Sequence, residues 1–497
     1  MTEQKGLCGS FFYCDATFLP SDRFLWYKRT CAGSPAHRNR KRSAMKTVKK
    51  SIICKLTCVV LSLALLMGLC ACGAAAPSES AKPSETAGQE TQAPESSSEE
   101  KETGAQGGSH SHYTPGSAQG KETDDTFRSA YLALASKLFQ THYAGREGSD
   151  STLISPLSIL IALAMTANGA ENETLAEMEA LLGGEDIDLE ALNQYVYTYI
   201  NELPSGEKAR FAIADAIWFK EMNGFTVNED FLQKDVDYFK AGIYQAPFDQ
   251  TTVKDINDWV EKNTDGMIKE ILQELSEDAR MILINALCFD AKWAAPFDEY
   301  QLDPHGKFTG LDGKKQPVTM MYDSVWSYLH DEDTTGFIKL YEGGTYGFVA
   351  LLPEEGTDFD AYIASLTPEK LQGLIGSENA EKTTIGLPKF SYDCEWAMVG
   401  ALKELGMKKA FEPFVADFRG ISEDESLFIS QVLHKTHIEV TEAGTRAAAV
   451  TAVIVEAAEA LEEKPKEVIL DRPFVYMIVD MQNKLPIFIG AVTEISG

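Results

Sequence analysis

Glu442-Ala-Gly-Thr-Arg-Ala-Ala-Ala-Val-Thr451 is a run of small residues set between two strand-like segments. Upstream, Leu433-His-Lys-Thr-His-Ile-Glu-Val-Thr441 alternates apolar and polar positions. Downstream, Arg472-Pro-Phe-Val-Tyr-Met-Ile-Val479 is the continuous apolar pattern of a buried strand. The connection between them runs to about thirty residues, and loops of that length inside a compact domain are functional or disordered. Its Ala, Gly and Thr side chains leave it free to change structure. Taken alone, Ala447 through Lys464 also fits a solvated helix, because Ala, Glu and Leu are strong helix formers.

Working outward, Phe127, Tyr131, Leu134 and Leu138 recur at the spacing of one helix face. Ser155-Pro-Leu-Ser-Ile-Leu-Ile-Ala-Leu-Ala-Met165 predicts a helix capped by Ser155, with proline at its first position and apolar residues all round. A buried helix that opens with two serines needs partners for their hydroxyls. Ala212-Ile-Ala-Asp-Ala-Ile-Trp-Phe219 and Met281-Ile-Leu-Ile-Asn-Ala-Leu-Cys-Phe289 predict central strands of a sheet covered on both faces. Helical and strand segments mix without strict alternation, so the class is α+β.

The N-terminal quarter is different material. Met45-Lys-Thr-Val-Lys-Lys50 is a basic leader start, and Leu56 to Ala71 supplies a short apolar stretch, the pattern of a secretion signal over residues 45–72. Leu69-Cys-Ala-Cys72 resembles a bacterial lipobox, which makes Cys72 the lipidated residue. Residues 1–44 then form an upstream extension with Met45 as the true start. An uncleaved membrane anchor with a short basic cytoplasmic tail is the alternative. Residues 73–124, rich in Ser, Glu, Pro, Gly, Thr and Gln, lack the aliphatic side chains that would offset the entropy of folding and read as a disordered tether. The folded domain is expected over 125–497. His110 and His112 have no carboxylate cluster around them and are read as incidental.

A net charge of −30 argues against nucleic acid or anionic lipid as partner, since both would be repelled. Of the nine cysteines, only Cys288 and Cys394 lie beyond residue 72, which opposes a disulfide framework, and no zinc spacing exists in the globular part. Cys288 reads as a small buried hydrophobe. No nucleophile elbow, Cys/His signature or phosphate-binding glycine loop is present, so the motifs predict neither an enzyme nor a cofactor.

Six stretches in order carry a resemblance: Ser155-Pro-Leu-Ser-Ile159, Asn257-Asp-Trp-Val-Glu-Lys-Asn-Thr-Asp-Gly-Met-Ile268, Leu283-Ile-Asn-Ala-Leu-Cys-Phe-Asp-Ala-Lys-Trp293, Leu387-Pro-Lys-Phe390, Asp417-Phe-Arg-Gly-Ile-Ser422 and the small-residue run itself. From about Phe127 to the C-terminus the chain resembles the serpins, a family of protease inhibitors. The resemblance implies three β-sheets, eight or nine helices, and an exposed reactive loop that enters the large sheet as a new strand after cleavage. It implies a polar cluster of Ser155, Ser158, Asn285 and His434 under the opening sheet. Trp293 and Lys389 would sit where the loop first enters, with Lys389 paired to Glu442. The hinge would be Glu442, Gly444, Thr445, Ala447, Ala448 and Ala449. His437 has the opposite strand parity to His434 and reads as a surface residue.

By the family's spacing the scissile bond is Ala458-Glu459, a bait for an elastase-like or subtilisin-like serine protease, although Glu456 or Glu459 would instead suit a glutamate-specific one. The partner is then a target serine protease held covalently by a monomeric inhibitor on the outer face of a bacterial membrane. Arg446, Ala443 and Val450 depart from the pattern of inhibitory members, with Arg446 on the face that stays outside. Two other functions compete: a non-inhibitory binding module of the same fold, and a transporter's solute-binding lipoprotein, which fits the leader and tether but not residues 125–497.

Overall fold

Asp124 accepts a hydrogen bond from the backbone N–H of Phe127 and so caps the first helix, α1 (Asp125–Ala144), whose Phe127, Tyr131, Leu134 and Leu138 are all buried. The computed structural model describes residues 109–110, 113–116, 118–203, 209–264, 266–275, 279–377, 379–423, 426–445 and 466–495. All lie in one compact unit, Glu100–Gly497. Cys72, Ala447, Ala448, Ala449, Ala458 and Glu459 fall outside the described residues, as do the leader and the upstream extension. No helix among the described residues is long and apolar enough to cross a membrane.

The helices after α1 are α2 (Pro156–Ala167), α3 (Asn172–Leu182), α4 (Leu189–Glu202), α5 (Glu229–Phe239), α6 (Gln250–Asn263), α7 (Phe359–Ser365), α8 (Pro368–Gly376) and α9 (Val399–Glu404). The strands are β1 (Ser109–His110), β2 (Thr152–Ile154), β3 (Ala209–Lys220), β4 (Gly242–Ala246), β5 (Met281–Lys292), β6 (Leu302–Thr309), β7 (Lys315–His330) and β8 (Thr334–Leu340). They continue as β9 (Tyr346–Pro353), β10 (Asn379–Pro388), β11 (Phe390–Ala397), β12 (Leu433–Val440), β13 (Gly444–Thr445), β14 (Lys466–Ile469), β15 (Phe474–Asp480) and β16 (Leu485–Val492).

One sheet has seven strands in the order β1-β4-β3-β5-β13-β12-β11. The other has nine, in the order β14-β10-β7-β8-β9-β15-β16-β2 with β6 on β7. The nine α-helices among the described residues agree with the expected architecture. The expected second and third sheets are joined into one ladder, because the sixteen-residue β7 pairs with β6 and β10 along most of its length and with β8 at its far end.

The predicted central strands β3 and β5 pair antiparallel from Ala209–Ala291 to Phe219–Met281. They are covered on both sides, as their apolar runs require. Phe211, Ile217, Leu287 and Phe289 join the main core, whereas Ala216, Trp218, Ala286 and Cys288 pack with Ile256 and Val260 of α6. Helix α2 lies in the main core, capped by the Ser155 hydroxyl, which accepts the Ser158 N–H.

The tether expected to run to residue 124 ends earlier. Ser109–His110 adds a short antiparallel strand to β4. The Gly116 N–H donates to Asp237 on α5, Gln233 donates to the Thr114 carbonyl, and the Lys121 N–H donates to the Gln194 carbonyl. Composition missed this because the segment is held through backbone groups and the partly buried Tyr113 rather than by aliphatic burial.

Candidate functional site

The upper edge of the seven-stranded sheet is built around the small-residue run. Gly444 and Thr445 already form a strand stub: Thr445 pairs with Val440 of β12, and both residues pair with Ala291 and Lys292 of β5. Only glycine serves at 444. Its φ is +155°, and a Cβ there would lie 2.2 Å from the Ala291 carbonyl oxygen. Thr445 is 3% exposed, and its hydroxyl shares a 2.6 Å hydrogen bond with the Tyr341 hydroxyl.

Trp293 holds the turn that delivers this stub. Its ring is fully buried and stacks on Tyr341 at 4.5 Å, and its indole N–H donates to the Thr441 carbonyl. The Trp293 backbone N–H donates to the Ala443 carbonyl and that of Phe297 to the Glu442 carbonyl. Lys389 makes the ion pair with Glu442 at 2.5 Å, and the ammonium holds the carboxyl below its ordinary range. Lys339 sits behind Trp293, paired to Asp323 at 2.7 Å with its ammonium 4.2 Å from the Phe297 ring centre. This buried cation has no counterpart in the sequence reading, since a lysine in the half-apolar run of β8 gives no sign of facing inward.

Below the stub, β5 and β12 flank a slot lined by Leu287, Cys288, Phe289, His437, Ile438 and Glu439, with Thr445 at its head. The space is about 20 Å³, room for a water molecule rather than a strand. An added strand therefore enters only by parting β5 from β12. Cys288 is buried here, as expected of a small hydrophobe. His437 faces the other way from His434, half-exposed and bonded to Asp393 at 2.9 Å.

Under the sheet, the four polar residues singled out in the sequence fall into two connected pairs. The Ser155 N–H donates to His434 Nε2 at 3.0 Å, and the Ser155 hydroxyl donates to the Ile487 carbonyl. Burial, with His142 nearby, pushes the imidazole down to about 3, so it stays neutral and accepting. The Ser158 hydroxyl donates to Asn285, whose amide in turn donates to Asp215 at 2.6 Å. Ser155 and Ser158 share the cap of α2, which ties the two pairs together.

Asp215 was missed. It is buried, and burial pushes its carboxyl up to about 7. A second buried carboxyl, Asp235 on α5, accepts from Asn168, which accepts from Asn193. Burial raises Asp235 as well, and the neighbouring Asp215 charge adds to the effect. The signal was present in Ala212-Ile-Ala-Asp-Ala-Ile-Trp-Phe219: a lone carboxylate in a strand buried on both faces.

This arrangement seats the two-residue strand Gly444–Thr445 between β5 and β12; among the described residues it offers no cluster of three or more His, Cys, Asp or Glu side chains to hold a metal. A family model described as "Serpin (serine protease inhibitor)" matches residues 129–495. An uncharacterized serpin-like protein of Thermococcus kodakarensis is 30% identical over 72% of this chain and 84% of its own length. Serpin B9 of Homo sapiens is 31% identical over 69% of this chain and 92% of its own. Among solved structures, the thermophilic serpin tengpin in its native state is 41% identical, with a TM-score of 0.73 over 78% of this chain and 100% of that one. Tengpin in its latent state gives 0.68 at 40% identity, over 76% of this chain and all of that one.

Proposed function

The chain belongs to the serpin family, and from that premise we propose that it is a suicide-substrate inhibitor of extracellular serine proteases. The observation that supports this reading is the Gly444–Thr445 stub seated between β5 and β12, at the head of a slot that the following residues would extend into. By parity with Thr445, the side chains that would enter the core are Ala447, Ala449, Thr451, Val453 and Val455, none of them charged. Arg446 and Glu456 take the other parity.

In this reading the serine hydroxyl of the target attacks the Ala458 carbonyl. The bond to Glu459 breaks, the new amine leaves, and Ala458 is held as an ester on the protease. Water would normally hydrolyse that ester within the cycle. Insertion must be faster, and each inserted residue contributes ladder hydrogen bonds of ~1 kcal/mol net, whereas a charge forced inward costs several. Ala458-Glu459 suits a protease with a small apolar primary pocket, elastase-like or subtilisin-like. Lipidation at Cys72 would hold the inhibitor at the outer face of a bacterial membrane.

The test is to incubate the chain from residue 73 onward with a panel of serine proteases. The expected result is an SDS-stable complex and a released C-terminal peptide beginning at Glu459. Thr445→Arg places a charge at a position now 3% exposed and should turn the inhibitor into a plain substrate, with the stoichiometry of inhibition rising more than tenfold. Cleaved chain and fully active protease across the whole panel would leave only the binding-module reading.

A further inference from the structure

The turn Glu412-Pro-Phe-Val415 is closed by the Val415 N–H, which donates to the Glu412 carbonyl at 3.1 Å. Its third residue, Phe414, has a φ of +63°, the left-handed region in which such a turn ordinarily takes glycine or asparagine. A bulky side chain at that φ is strained. Phe414 is nevertheless 89% exposed and Val415 55% exposed, and neither joins a core cluster among the described residues. The ring strains the backbone and stabilises nothing by burial.

The loop that carries this knob is fastened along α3. Lys409 pairs with Glu173 and Glu177, and the Lys408 and Lys409 N–H groups donate to Glu177. The Asp417 N–H donates to the Thr174 hydroxyl. Between α3 and the chain after α9 lies an open groove of about 320 Å³, floored by Ala176, Ala180, Leu181 and Leu405. That is about ten times the ~30 Å³ share of one water molecule, room for a phenyl ring. Phe414 of the same chain does not line it. The Met398 N–H donates to the Val432 carbonyl and the Ile429 N–H to the Ala410 carbonyl. Knob and groove therefore sit at the Leu433 end of β12, opposite the Gly444–Thr445 stub.

We propose that this patch joins two copies of the chain about a two-fold axis, with Phe414 of each copy seated in the α3 groove of the other. A knob beside a groove on one face is self-complementary, as a two-fold contact requires. Charge fits the same operation: Glu404 and Lys408 are exposed and without an ion pair among the described residues, so each would meet its opposite on the other copy. A bilayer suits the patch less. Glu173 and Glu177 line the groove, Glu412 opens the turn, and a chain of net charge −30 is repelled by anionic headgroups. Two phenylalanine rings bury about 300–500 Å² between them, which belongs with the weak contacts below roughly 1,200 Å². Pairing is then on the order of 100 µM and is populated where many copies share one surface. Contact at this end leaves the stub free and does not depend on protease trapping.

The test is sedimentation equilibrium of the chain from residue 73 onward between about 5 and 500 µM, which brackets that affinity, on wild type, Phe414→Gly and Ala180→Glu. Wild type should pass from one chain mass to two. Phe414→Gly should weaken association at least roughly tenfold. Its thermal midpoint at the lowest concentration should match or exceed that of wild type, because glycine relieves the left-handed φ. Ala180→Glu should abolish association with the thermal midpoint unchanged, since Ala180 is exposed on α3. A wild type that keeps one chain mass at the highest concentration would overturn the proposal. So would association as tight in Phe414→Gly as in wild type, or a Phe414→Gly chain that melts lower, which would make the ring part of the fold. Binding to phosphatidylcholine vesicles without self-association would assign the patch to a lipid surface and overturn the proposal as well.

Discussion

Asp215 and His434 lie under the same sheet and respond to pH in opposite senses. His434 is held near 3, below its ordinary value of 6.5, so its contribution is present above about pH 6.5 and fades as pH falls. Asp215 is raised from 3.8 to about 7, so the folded chain binds a proton there that the unfolded chain releases. Its contribution is complete below pH 3.8 and is lost as pH rises through about 7. The groups bearing on it are Asn285 from β5 and, through Asp235 of α5, Lys234. Stability should therefore fall on this account by on the order of 1 kcal/mol per pH unit between pH 4 and 7. In Asp215→Asn the urea midpoint should lose that falling component between about pH 4 and 7, leaving the opposing slope of His434 and the falling one of Asp235, which is also raised. A mutant profile identical to wild type from pH 5 to 8 would remove Asp215 as the titrating group. The sequence made Ser155, Ser158, Asn285 and His434 legible through a resemblance, but the carboxyls beneath them depend on which elements pack together.

At the scale of elements, the small-residue segment was readable and the resting state of its first residues was not. Composition and flanking strands marked a segment able to change structure, and the family resemblance named Gly444 and Thr445 as its pivot. That they already pair with β5 and β12 follows from long-range contacts: the Trp293 and Phe297 N–H groups on the preceding turn, the Tyr341 hydroxyl on Thr445, and Lys389 on Glu442. Gly444→Ala tests the stub directly. With φ at +155° and the Ala291 oxygen 2.2 Å from the new Cβ, the substitution must push β13 out of the sheet and strand the Thr445–Tyr341 hydrogen bond. We expect a loss of roughly 2 kcal/mol in urea unfolding of the intact chain. Lys389→Ala should cost less than about 1 kcal/mol, because that pair is partly exposed, and salt should shrink the difference. A Gly444→Ala chain as stable as wild type would mean that the stub contributes nothing to the resting state.

At the scale of the whole molecule, the fold was legible where patterns are local or ordered along the chain, as in α1, α2, β3, β5, β12 and β15. It was not legible in the joining of two sheets through β7 or in the docking of residues 109–124, both of which depend on backbone pairing between distant segments. The same backbone pairing decides whether the molecule stores free energy. Among the described residues, β5 and β12 are bridged through two residues of β13, Gly444 and Thr445. If the slot accepts the residues from Arg446 to Ala458 once the segment is cut, each adds ladder hydrogen bonds on both sides and the alternate side chains reach the core. At ~1 kcal/mol per hydrogen bond the gain is on the order of 10 kcal/mol or more. For a domain of this size that shifts thermal unfolding upward by roughly 10 °C or more. Limited cleavage of the segment by an untrapped protease, followed by calorimetry on the nicked chain, should show that rise. The rise should persist in Asp215→Asn and vanish in Thr445→Arg, because only the second change blocks the head of the slot. A nicked wild-type chain that melts no higher than the intact one would show that β5 and β12 do not part, and the seated Gly444–Thr445 stub would then be the end of the insertion and not its beginning.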